Sequence, residues 1–329
     1  MTIREIAEKA GVSIATVSRV INNVPNVSPK TRKKVLAILN KYGFQTDPWA
    51  RRLANKKRTT TILILLSSRL QKGFNPEKNG FYENVVKGIN SASRWGNIVT
   101  TLKNLEETIK KRDFKGIDGI IFVGGDTTEQ HVKVVQKRGL PMVLIDQYIP
   151  TLKVDCVVSN GFDGASYAIS YLISKGLKKI IHIHGFLDHF GFKDRFEGYV
   201  STMESYGLLP TTYEYDDECM EDMKPIIRRI LNTKGVPDAI FASNDAIALR
   251  TIQTLKEFDL KVPDDVSVVG FDGSEEGRRH KPSLSSLKIP MEEMGSLAMK
   301  RLLDIIYGED IYPVRISLFT EFIKGESSL

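Results

Sequence analysis

Two patterns of apolar positions divide the chain. Near the N-terminus apolar residues recur at intervals of three and four, as on one face of a helix. From Thr59 onward they gather in short runs of strand length, separated by helical patterns. This alternation predicts a small helical domain followed by a larger α/β region.

The first 23 residues predict two short helices joined at a glycine. Gly11 can adopt the positive φ that a sharp corner requires, and Ser13 can cap the second helix. The first helix carries one apolar stripe, formed by Ile3, Ile6, Ala7 and Ala10. The pattern is typical of a helix-turn-helix.

The second predicted helix has two different faces. One face packs on the first helix and carries Thr16, Val17, Val20 and Ile21. The other faces outward and carries Ile14, Ala15, Ser18, Arg19 and Asn22. Small side chains let such a face approach base edges in a major groove, where arginine and asparagine can form bidentate hydrogen bonds. Amphipathic helix pairs are also common in proteins that do not bind DNA, so the pattern alone leaves a structural role open.

Charge favours the DNA-binding interpretation. Residues 1–60 hold 13 Lys and Arg against three Asp and Glu, a net charge of +10, whereas the rest of the chain carries −3. Such asymmetry is the electrostatic footprint of a protein that binds a polyanion. We therefore expect binding that weakens steeply with salt.

A third helix and a linker complete the N-terminal region. Ser28 and Pro29 give an N-cap and a proline at the first helical position, and Gly43 ends the helix. The predicted apolar side of this helix consists of Val35, Leu36, Ile38, Leu39 and Tyr42. We expect a helix-turn-helix domain over residues 1–46.

Residues 47–58 are predicted to be a hinge or linker. Within them Pro48–Asn55 places Trp49, Ala50, Leu53 and Ala54 on one face and Arg51, Arg52 and Asn55 on the other. A helix of about two turns is marginal in water, so we expect it to order only against a partner. A basic linker without a helix is the alternative.

The remaining residues, 59–329, predict two lobes of doubly wound parallel sheet. The predicted strands are Ile62–Leu66, Ile98–Leu102, Gly119–Val123, Met142–Ile145, Val154–Val158, Ile180–Ile183, Ala239–Ala242 and Val266–Phe271. The predicted helices are Phe81–Trp95, Glu129–Lys137, Asp163–Lys175, Asp194–Tyr206, Met220–Leu231, Asp245–Phe258 and Met291–Tyr307. In such proteins ligands bind in the crevice beyond the strand ends.

Composition excludes several classes of protein. Cys156 and Cys219 are too few for a disulfide framework, and the longest apolar run, Ile62–Leu66, is far too short to span a membrane. The N-terminus lacks a signal peptide pattern, so we expect a cytoplasmic protein. No catalytic signature is present, and neither a cofactor nor a metal is predicted. His182, His184 and His189 cluster along the chain, but a structural role is favoured over a metal site.

Polar groups at predicted strand ends indicate a sugar site. Asn244 and Asp272 follow strands, and Arg195 lies early in a helix after a strand. Such groups can bind adjacent hydroxyls, and Phe81 and Tyr82 could cover the apolar face of the ring. Each residue alone could be structural, and Asp245 is the most plausible helix cap.

The chain resembles the lactose/galactose repressor family of bacterial transcription factors along its whole length. The segments that carry the resemblance are Ile6-Ala7, Ala10–Ser13, Thr16–Asn22, Val27-Ser28, Thr31-Arg32, Ala50–Leu53, Gly116–Ile121, Ser159-Asn160, Arg195–Gly198, Ser243–Asp245, Val262–Asp272 and Pro282–Ser286. Thr46-Asp47, Arg52 and Ser159 depart from the family pattern, and an aromatic cap is missing around Glu218–Met220. Phe190 and Phe192 could compensate for that cap.

The resemblance implies a repressor controlled by a small sugar or sugar-like metabolite. It implies a homodimer, with a tetramer left open, that reads a palindromic DNA operator through Ile14, Ala15 and Arg19. Ser13, Thr16, Ser18 and Asn22 would lie near backbone or groove atoms, and the hinge helix with Ala50 and Leu53 would enter the minor groove. The implied effector residues are Phe81, Tyr82, Asp163, Arg195, Asn244 and Asp272. A sugar-binding protein of periplasmic type explains residues 60–329 only, and an enzyme is less favoured still.

Overall fold

The computed structural model describes residues 3–21, 27–41, 59–94, 97–215, 222–308 and 312–329. The chain divides into two compact units, one of residues 1–60 with 93–98 and one of residues 61–92 with 99–329. Each unit has a hydrophobic core of its own. The segment predicted to form the hinge, Pro48–Asn55, lies outside the described residues.

The first unit contains a helix-turn-helix. Its helices are α1 (Ile3–Ala10), α2 (Ile14–Ile21) and α3 (Pro29–Lys41). Gly11, at φ +62°, forms the corner between α1 and α2, where a side chain would be strained. The Ser13 hydroxyl accepts a hydrogen bond from the Thr16 amide at 3.1 Å, which caps α2 as predicted.

The three helices share a small core. Its buried members are Ile6, Ala7, Ala10, Val17, Val20, Val35 and Leu39. This confirms the apolar faces predicted for α1 and α2 at these positions. On α3 the prediction was wrong for Leu36, which is 42% exposed because its position turns it away from the other two helices. Tyr42 lies outside the described residues.

The second unit is an α/β fold with two sheets, as the apolar runs predict. In chain order its first part contains β1 (Thr60–Leu66), α4 (Ser68–Gly73), α5 (Phe81–Ser93), β2 (Ile98–Asn104), α6 (Leu105–Lys111), β3 (Gly119–Val123), α7 (Glu129–Gln136), β4 (Met142–Ile145), β5 (Asp155–Ser159) and α8 (Gly161–Ser174). Then follow β6 (Ile180–His184), α9 (Phe190–Ser205), β7 (Thr212–Glu214), α10 (Lys224–Lys234), β8 (Ala239–Ala242), α11 (Asp245–Glu257), β9 (Ser267–Asp272), α12 (Glu275–Arg279), β10 (Ser285–Lys288), α13 (Met291–Ile306), β11 (Arg315–Leu318) and β12 (Glu321–Ile323).

The described strands form one sheet in each lobe. Lobe 1 has the strand order β11-β5-β4-β3-β1-β2, and lobe 2 has the order β12-β10-β9-β8-β6-β7. The pairs from β1 through β3, β4 and β5 to β11 are parallel, as are those from β7 through β6, β8 and β9 to β10. Strand β12 runs antiparallel to β10. The doubly wound parallel fold is therefore confirmed.

The chain passes between the lobes three times in the described residues. It leaves lobe 1 after β5, returns after β10 to place α13 against β3, β4 and β5, and leaves again between β11 and β12. The sequence analysis did not predict four strands, because they are short and partly polar: β7, β10, β11 and β12. Every helix in the described part of the chain is too short or too polar to span a lipid bilayer.

Helices α5 and α13 of lobe 1 meet at two glycines. A Cβ at Gly88 would collide with the backbone carbonyl of Glu292, and one at Gly295 would collide with the carbonyl of Val85. Backbone atoms cannot move aside as a flexible side chain can. The two helices therefore depend on glycine at both positions for their close approach.

We expect Gly88→Ala to destabilise the protein, although the same change in an ordinary helix stabilises by up to about 1 kcal/mol. The collision should force α5 and α13 apart and cost about 1–3 kcal/mol of unfolding free energy. Urea unfolding followed by circular dichroism measures the change. Ser91→Ala, at an exposed position of the same helix, is the control and should be neutral or stabilising. An equal gain in both variants would contradict the close approach.

Candidate functional site

One face of α2 presents the predicted DNA-binding surface. Ile14 is 51% exposed, and Ala15 and Arg19 are also exposed. Ser13 and Thr16 at the start of the helix are joined by a hydroxyl–hydroxyl hydrogen bond of 2.9 Å. The structure thus leaves a short apolar side chain, a methyl group and a guanidinium on one accessible helix surface.

Four further residues of the predicted DNA-binding set cannot be placed on this surface. The side chain of Ser18 is not described, and Asn22, Ala50 and Leu53 lie outside the described residues. Their roles stay predictions from the sequence.

A cavity of about 200 Å³ lies between the two lobes of the second unit. Lobe 1 contributes Arg69, Phe81, Tyr82, Gly125 and Asp146, and lobe 2 contributes His189, Gly191, Phe192, Arg195, Asn244 and Asp272. Asp146, Asn244 and Asp272 follow or end β4, β8 and β9, so the cavity lies at the carboxyl ends of the strands. Five of the six predicted effector residues line it.

Arg195 is the buried cation of the cavity. Its Nη1 donates a 2.6 Å hydrogen bond to the Ser243 carbonyl, and its Nη2 lies 3.7 Å from Asp272 Oδ1. The guanidinium carbon is 4.0 Å from the centre of the Phe271 ring. The Nε atom is buried and has no hydrogen-bond partner among the described residues. Packing and hydrogen bonding therefore fix the guanidinium in one orientation.

Asp146 and Asp272 are carboxylates whose surroundings disfavour the ionised form. Burial raises the pKa of Asp146 and raises that of Asp272 well above its usual range, although the charge of Arg195 opposes both shifts. Both residues also have positive φ, 58° and 126°, a backbone region that costs energy for a residue with a side chain. Strained, poorly solvated acceptors of this kind are typical of a binding site.

Tyr82 is a proton donor within the cavity. Its hydroxyl donates to Asp146 Oδ2 at 3.1 Å, and its ring meets the Phe81 ring edge to face at 4.9 Å. Burial, together with the charge of Asp146, raises the pKa of Tyr82 well above 10. The hydroxyl therefore stays protonated, and Phe81 is held beside it.

The sequence analysis did not assign three polar residues that line the cavity, Arg69, Asp146 and His189, nor Asp126 beside them. Arg69 donates to both oxygens of Asp126 at 2.7–3.2 Å, and His189 Nε2 lies 3.7 Å from Asp126 Oδ1. Although burial opposes it, hydrogen bonding from Arg69 and Ser67 lowers the pKa of Asp126. Asp126 belongs to lobe 1 and His189 to lobe 2, so this cluster links the lobes. The position of Asp126 shortly after a buried strand was the signal that could have identified it.

Asp163 is not brought together with the other five predicted residues. It is exposed at the start of α8, where its amide donates to Asn160 Oδ1 at 3.1 Å and its Oδ2 accepts from Asn160 Nδ2 at 2.6 Å. It does not line the cavity. In the described structure Asp163 stabilises the beginning of a helix.

Asn244, and not Asp245, caps α11. The Asn244 Oδ1 accepts from the Ile247 amide at 2.8 Å. Asp245 is buried and accepts hydrogen bonds from the Ser274 amide and the Ser286 hydroxyl, both at 2.6 Å. The expectation that Asp245 is the cap was wrong by one residue, because a cap precedes the first helical position.

The two phenylalanines predicted to cover the ligand have different roles. Phe192 lines the cavity and stacks on His189 with 5.9 Å between ring centres. Phe190 instead packs edge to face on Tyr148 of lobe 1, with ring centres 5.6 Å apart. Residues Glu218–Met220 lie outside the described residues.

His182 and His184 lie in the core of lobe 2. His182 Nδ1 is 2.9 Å from the Phe241 carbonyl, and its ring stacks on that of Phe241 at 4.9 Å. His184 Nδ1 is 2.8 Å from the Gly185 carbonyl. No group of three metal-ligating side chains is present in the described part of the chain. The two rings therefore have structural partners.

We expect His182 to make folding sensitive to acid. Burial lowers the pKa of His182 to about 3, so the ring is neutral in the folded protein and takes up a proton on unfolding below pH about 6.5. Its contribution is fully present above pH about 6.5 and is lost as the pH falls toward 3, at a rate approaching about 1.4 kcal/mol per pH unit. Urea unfolding of wild type and His182→Gln at pH 7.0, 6.0 and 5.0 tests this. The excess of the wild-type free energy of unfolding over that of His182→Gln should shrink as the pH falls. A difference that stays constant with pH would contradict the role of His182 in acid sensitivity.

Comparison with known proteins agrees with both parts of the structure. Residues 2–47 match the model for bacterial regulatory proteins of the lacI family, and residues 169–328 match the model for a periplasmic binding protein-like domain. Catabolite control protein A of Priestia megaterium is 32% identical over 314 residues, which cover 92% of this chain and 91% of that protein.

Two further relatives span nearly the whole chain. A probable HTH-type transcriptional repressor, ExuR of Bacillus subtilis strain 168, is 30% identical over 99% of this chain and 98% of its own length. The solved structure of a complex between the transcriptional regulator CelR and cellobiose superposes with a TM-score of 0.73 at 27% identity and covers 99% of both chains. With its helix-turn-helix, its two-lobed α/β region and these relatives, the chain belongs to the lacI family of bacterial regulatory proteins.

Proposed function

We propose that this protein is a cytoplasmic, homodimeric repressor whose affinity for a palindromic operator is set by a small sugar or sugar-like metabolite. In this proposal it is a regulator and not an enzyme. The observation that carries it is the presence, in one chain, of an exposed reading face on α2 and a cavity between two lobes lined by opposed carboxylate, amide and guanidinium groups. The domain assignment is 1–46 for DNA binding, 47–58 for the hinge and 59–329 for effector binding and dimerisation.

The chemistry of the cavity suits a polyol. Asp146 and Asp272 can only accept hydrogen bonds when ionised, whereas the Asn244 amide and Arg195 can donate them. Sugar hydroxyls do both, so adjacent hydroxyls can satisfy both kinds of group at once. The rings of Phe81 and Phe192 give the cavity apolar surface against which a sugar ring can pack. The cellobiose bound by the CelR relative supports this class of ligand.

Control of DNA binding follows from the arrangement of the lobes. A ligand that contacts both lobes favours the closed arrangement, and it can change operator affinity only as far as the two arrangements differ in that affinity. A coupling of about 1–3 kcal/mol corresponds to roughly 5- to 150-fold. Either release or tightening on ligand binding is compatible with this mechanism.

We propose that the hinge segment forms a helix on DNA and inserts Leu53 into the minor groove. Leu53→Ala should then weaken operator binding about tenfold or more, since the apolar wedge that opens a base step is lost. Analytical ultracentrifugation should show the same dimer for both proteins. Asn55→Ala, on the opposite predicted face of the same segment, is the control and should weaken binding far less than Leu53→Ala. If Leu53→Ala binds the operator as tightly as wild type, Leu53 does not insert into the minor groove as proposed.

The proposed function is tested with DNA and sugars together. Duplexes enriched from a random library by the full-length protein give the operator, and fluorescence anisotropy gives its affinity over a salt series. Binding should prefer the selected sequence and should change when a particular sugar is added. Equal binding to all duplexes would reject sequence-specific regulation, and a sugar response without DNA binding would favour a simple binding protein.

A further inference from the structure

A second cavity adjoins the one described above. It has a volume of about 510 Å³ and shares Phe81 and Asp272 with the smaller cavity. Its walls come from the start of α5, the first turns of α11, α12 and the segment 288–293 that leads from β10 to α13. Two residues thus belong to the walls of both spaces, one a flat ring and the other a carboxylate.

The size of the first cavity limits what it can hold. Its volume of about 200 Å³ falls below the range of about 300–1,000 Å³ that is usual for small-molecule sites. The two cavities together fall within that range. A ligand that extends past Phe81 and Asp272 into both cavities can therefore be longer than one sugar ring.

The second cavity has the mixed surface that a sugar ring needs. Phe81, Leu249 and Met291 give apolar surface, and Asn79, Asn84 and Ser274 give hydrogen-bonding groups. Asn79 Nδ2 also donates to Glu275 Oε2 at 2.9 Å, which joins lobe 1 to lobe 2 at this cavity. A ligand lying here would contact both lobes, as one in the first cavity would.

Charge restricts the ligand further. Among the described residues that line the second cavity, the carboxylates outnumber the cations: they are Asp245, Asp272, Glu275, Glu276, Glu292 and Glu293 against Arg278 and Lys288. In the first cavity Arg69 is held by Asp126 and Arg195 faces Asp272, so each of these two cations already has a carboxylate beside it. A phosphate or carboxylate on the ligand would meet like charge on most of its path.

We propose that the effector is a disaccharide-sized glycoside without anionic groups, with one ring in each cavity and its linkage between Phe81 and Asp272. This rests on the proposed function and specifies its ligand class. Binding of two rings explains why polar groups from both lobes line two adjacent spaces that share Phe81 and Asp272.

The experiment compares sugars of matched chemistry on the full-length protein. Isothermal titration calorimetry is run with glucose, cellobiose and maltose, with galactose and lactose, and with xylose and xylobiose. We expect one disaccharide to bind at least about tenfold more tightly than its own monosaccharide. The same disaccharide carrying a uronic acid unit should bind at least about tenfold more weakly than the neutral form.

Two variants locate the second ring. Ala246 is exposed in the first turn of α11 and lines only the second cavity, so Ala246→Phe should narrow that space without disturbing the core. Ala246→Phe should weaken the affinity for the disaccharide about tenfold or more and should leave the affinity for the monosaccharide within about twofold of the wild-type value. Gln253→Phe, at an exposed position of the same helix outside both cavities, should change neither.

Each contrary outcome has a distinct meaning. A monosaccharide that binds as tightly as its disaccharides, or an Ala246→Phe effect equal on both, would overturn the two-ring ligand and leave the proposed function standing. Tight binding of the uronic acid form would overturn the exclusion of anionic ligands. Failure of every carbohydrate to bind would overturn both proposals. If Ala246→Phe fails to fold, the comparison of sugars on wild type still decides the matter.

Discussion

Arg19→Ala should weaken binding to the selected operator by about 1–3 kcal/mol per half-site, which amounts to at least about thirtyfold for a dimer. The guanidinium is exposed on α2 beside Ile14 and Ala15, where it can form two hydrogen bonds to one base. Its loss should also relax the base preference at the position it reads. Fluorescence anisotropy on the operator and on single-base variants measures both effects.

Lys33→Ala is the control for charge. Lys33 is exposed in the same unit, on α3, and its removal takes away one positive charge. It should weaken binding to all duplexes by a similar small factor and lower the salt dependence. If Arg19→Ala behaves in the same way as Lys33→Ala, then Arg19 contacts phosphate and α2 does not read the sequence through it.

Asp272→Asn should abolish the response of operator binding to the effector while leaving ligand-free DNA binding intact. The change removes an acceptor at the wall shared by both cavities but keeps the size of the side chain. Because burial raises the pKa of Asp272 well above its usual range, its ionised form is a cost to the folded protein. Ligand-free Asp272→Asn should therefore melt at the same temperature as wild type or higher.

Thermal melting with and without the effector separates these effects. Wild type should gain stability with ligand concentration, since the ligand binds the native state, and Asp272→Asn should gain little. Asp163→Asn is the matched control, because Asp163 is exposed outside the cavity and should leave the ligand response unchanged. A full response in Asp272→Asn, or its loss in Asp163→Asn, would contradict the assignment of the site.

The larger features of the fold were predictable because the hydrophobic pattern determines them. Strands such as β3 and β4 are continuous apolar runs buried on both faces, so their ends were predicted to the residue. Strand β12 is polar at Glu321 and pairs only along one edge, so its structure depends on β10, a distant part of the chain. Helix α9 begins at Phe190, earlier than the predicted Asp194, and Phe190 in its first turn contacts Tyr148 of lobe 1, a tertiary contact that the sequence pattern does not reveal.

The cavity was predictable where strand ends define it and not where tertiary contacts do. Arg195, Asn244 and Asp272 were found because parallel strands bring their carboxyl ends together. Arg69 comes from a short helix that the sequence pattern did not reveal, and it reaches the site by pairing with Asp126, 57 positions away. Asp163 was predicted to bind the effector but does not line the cavity. Its side chain instead forms a local hydrogen bond with Asn160 at the start of α8.

The interleaved path of the chain has a consequence for biosynthesis. Strands β11 and β12 are adjacent in sequence, near the C-terminus, yet one completes the first sheet and the other completes the second. Neither lobe is a contiguous stretch of polypeptide, so a ribosome must finish almost the entire chain before either sheet can close. Helices α1, α2 and α3 are made first and share a core of their own. A prematurely terminated product would therefore retain the surface of α2 that is proposed to read DNA, without the lobes that bind the effector.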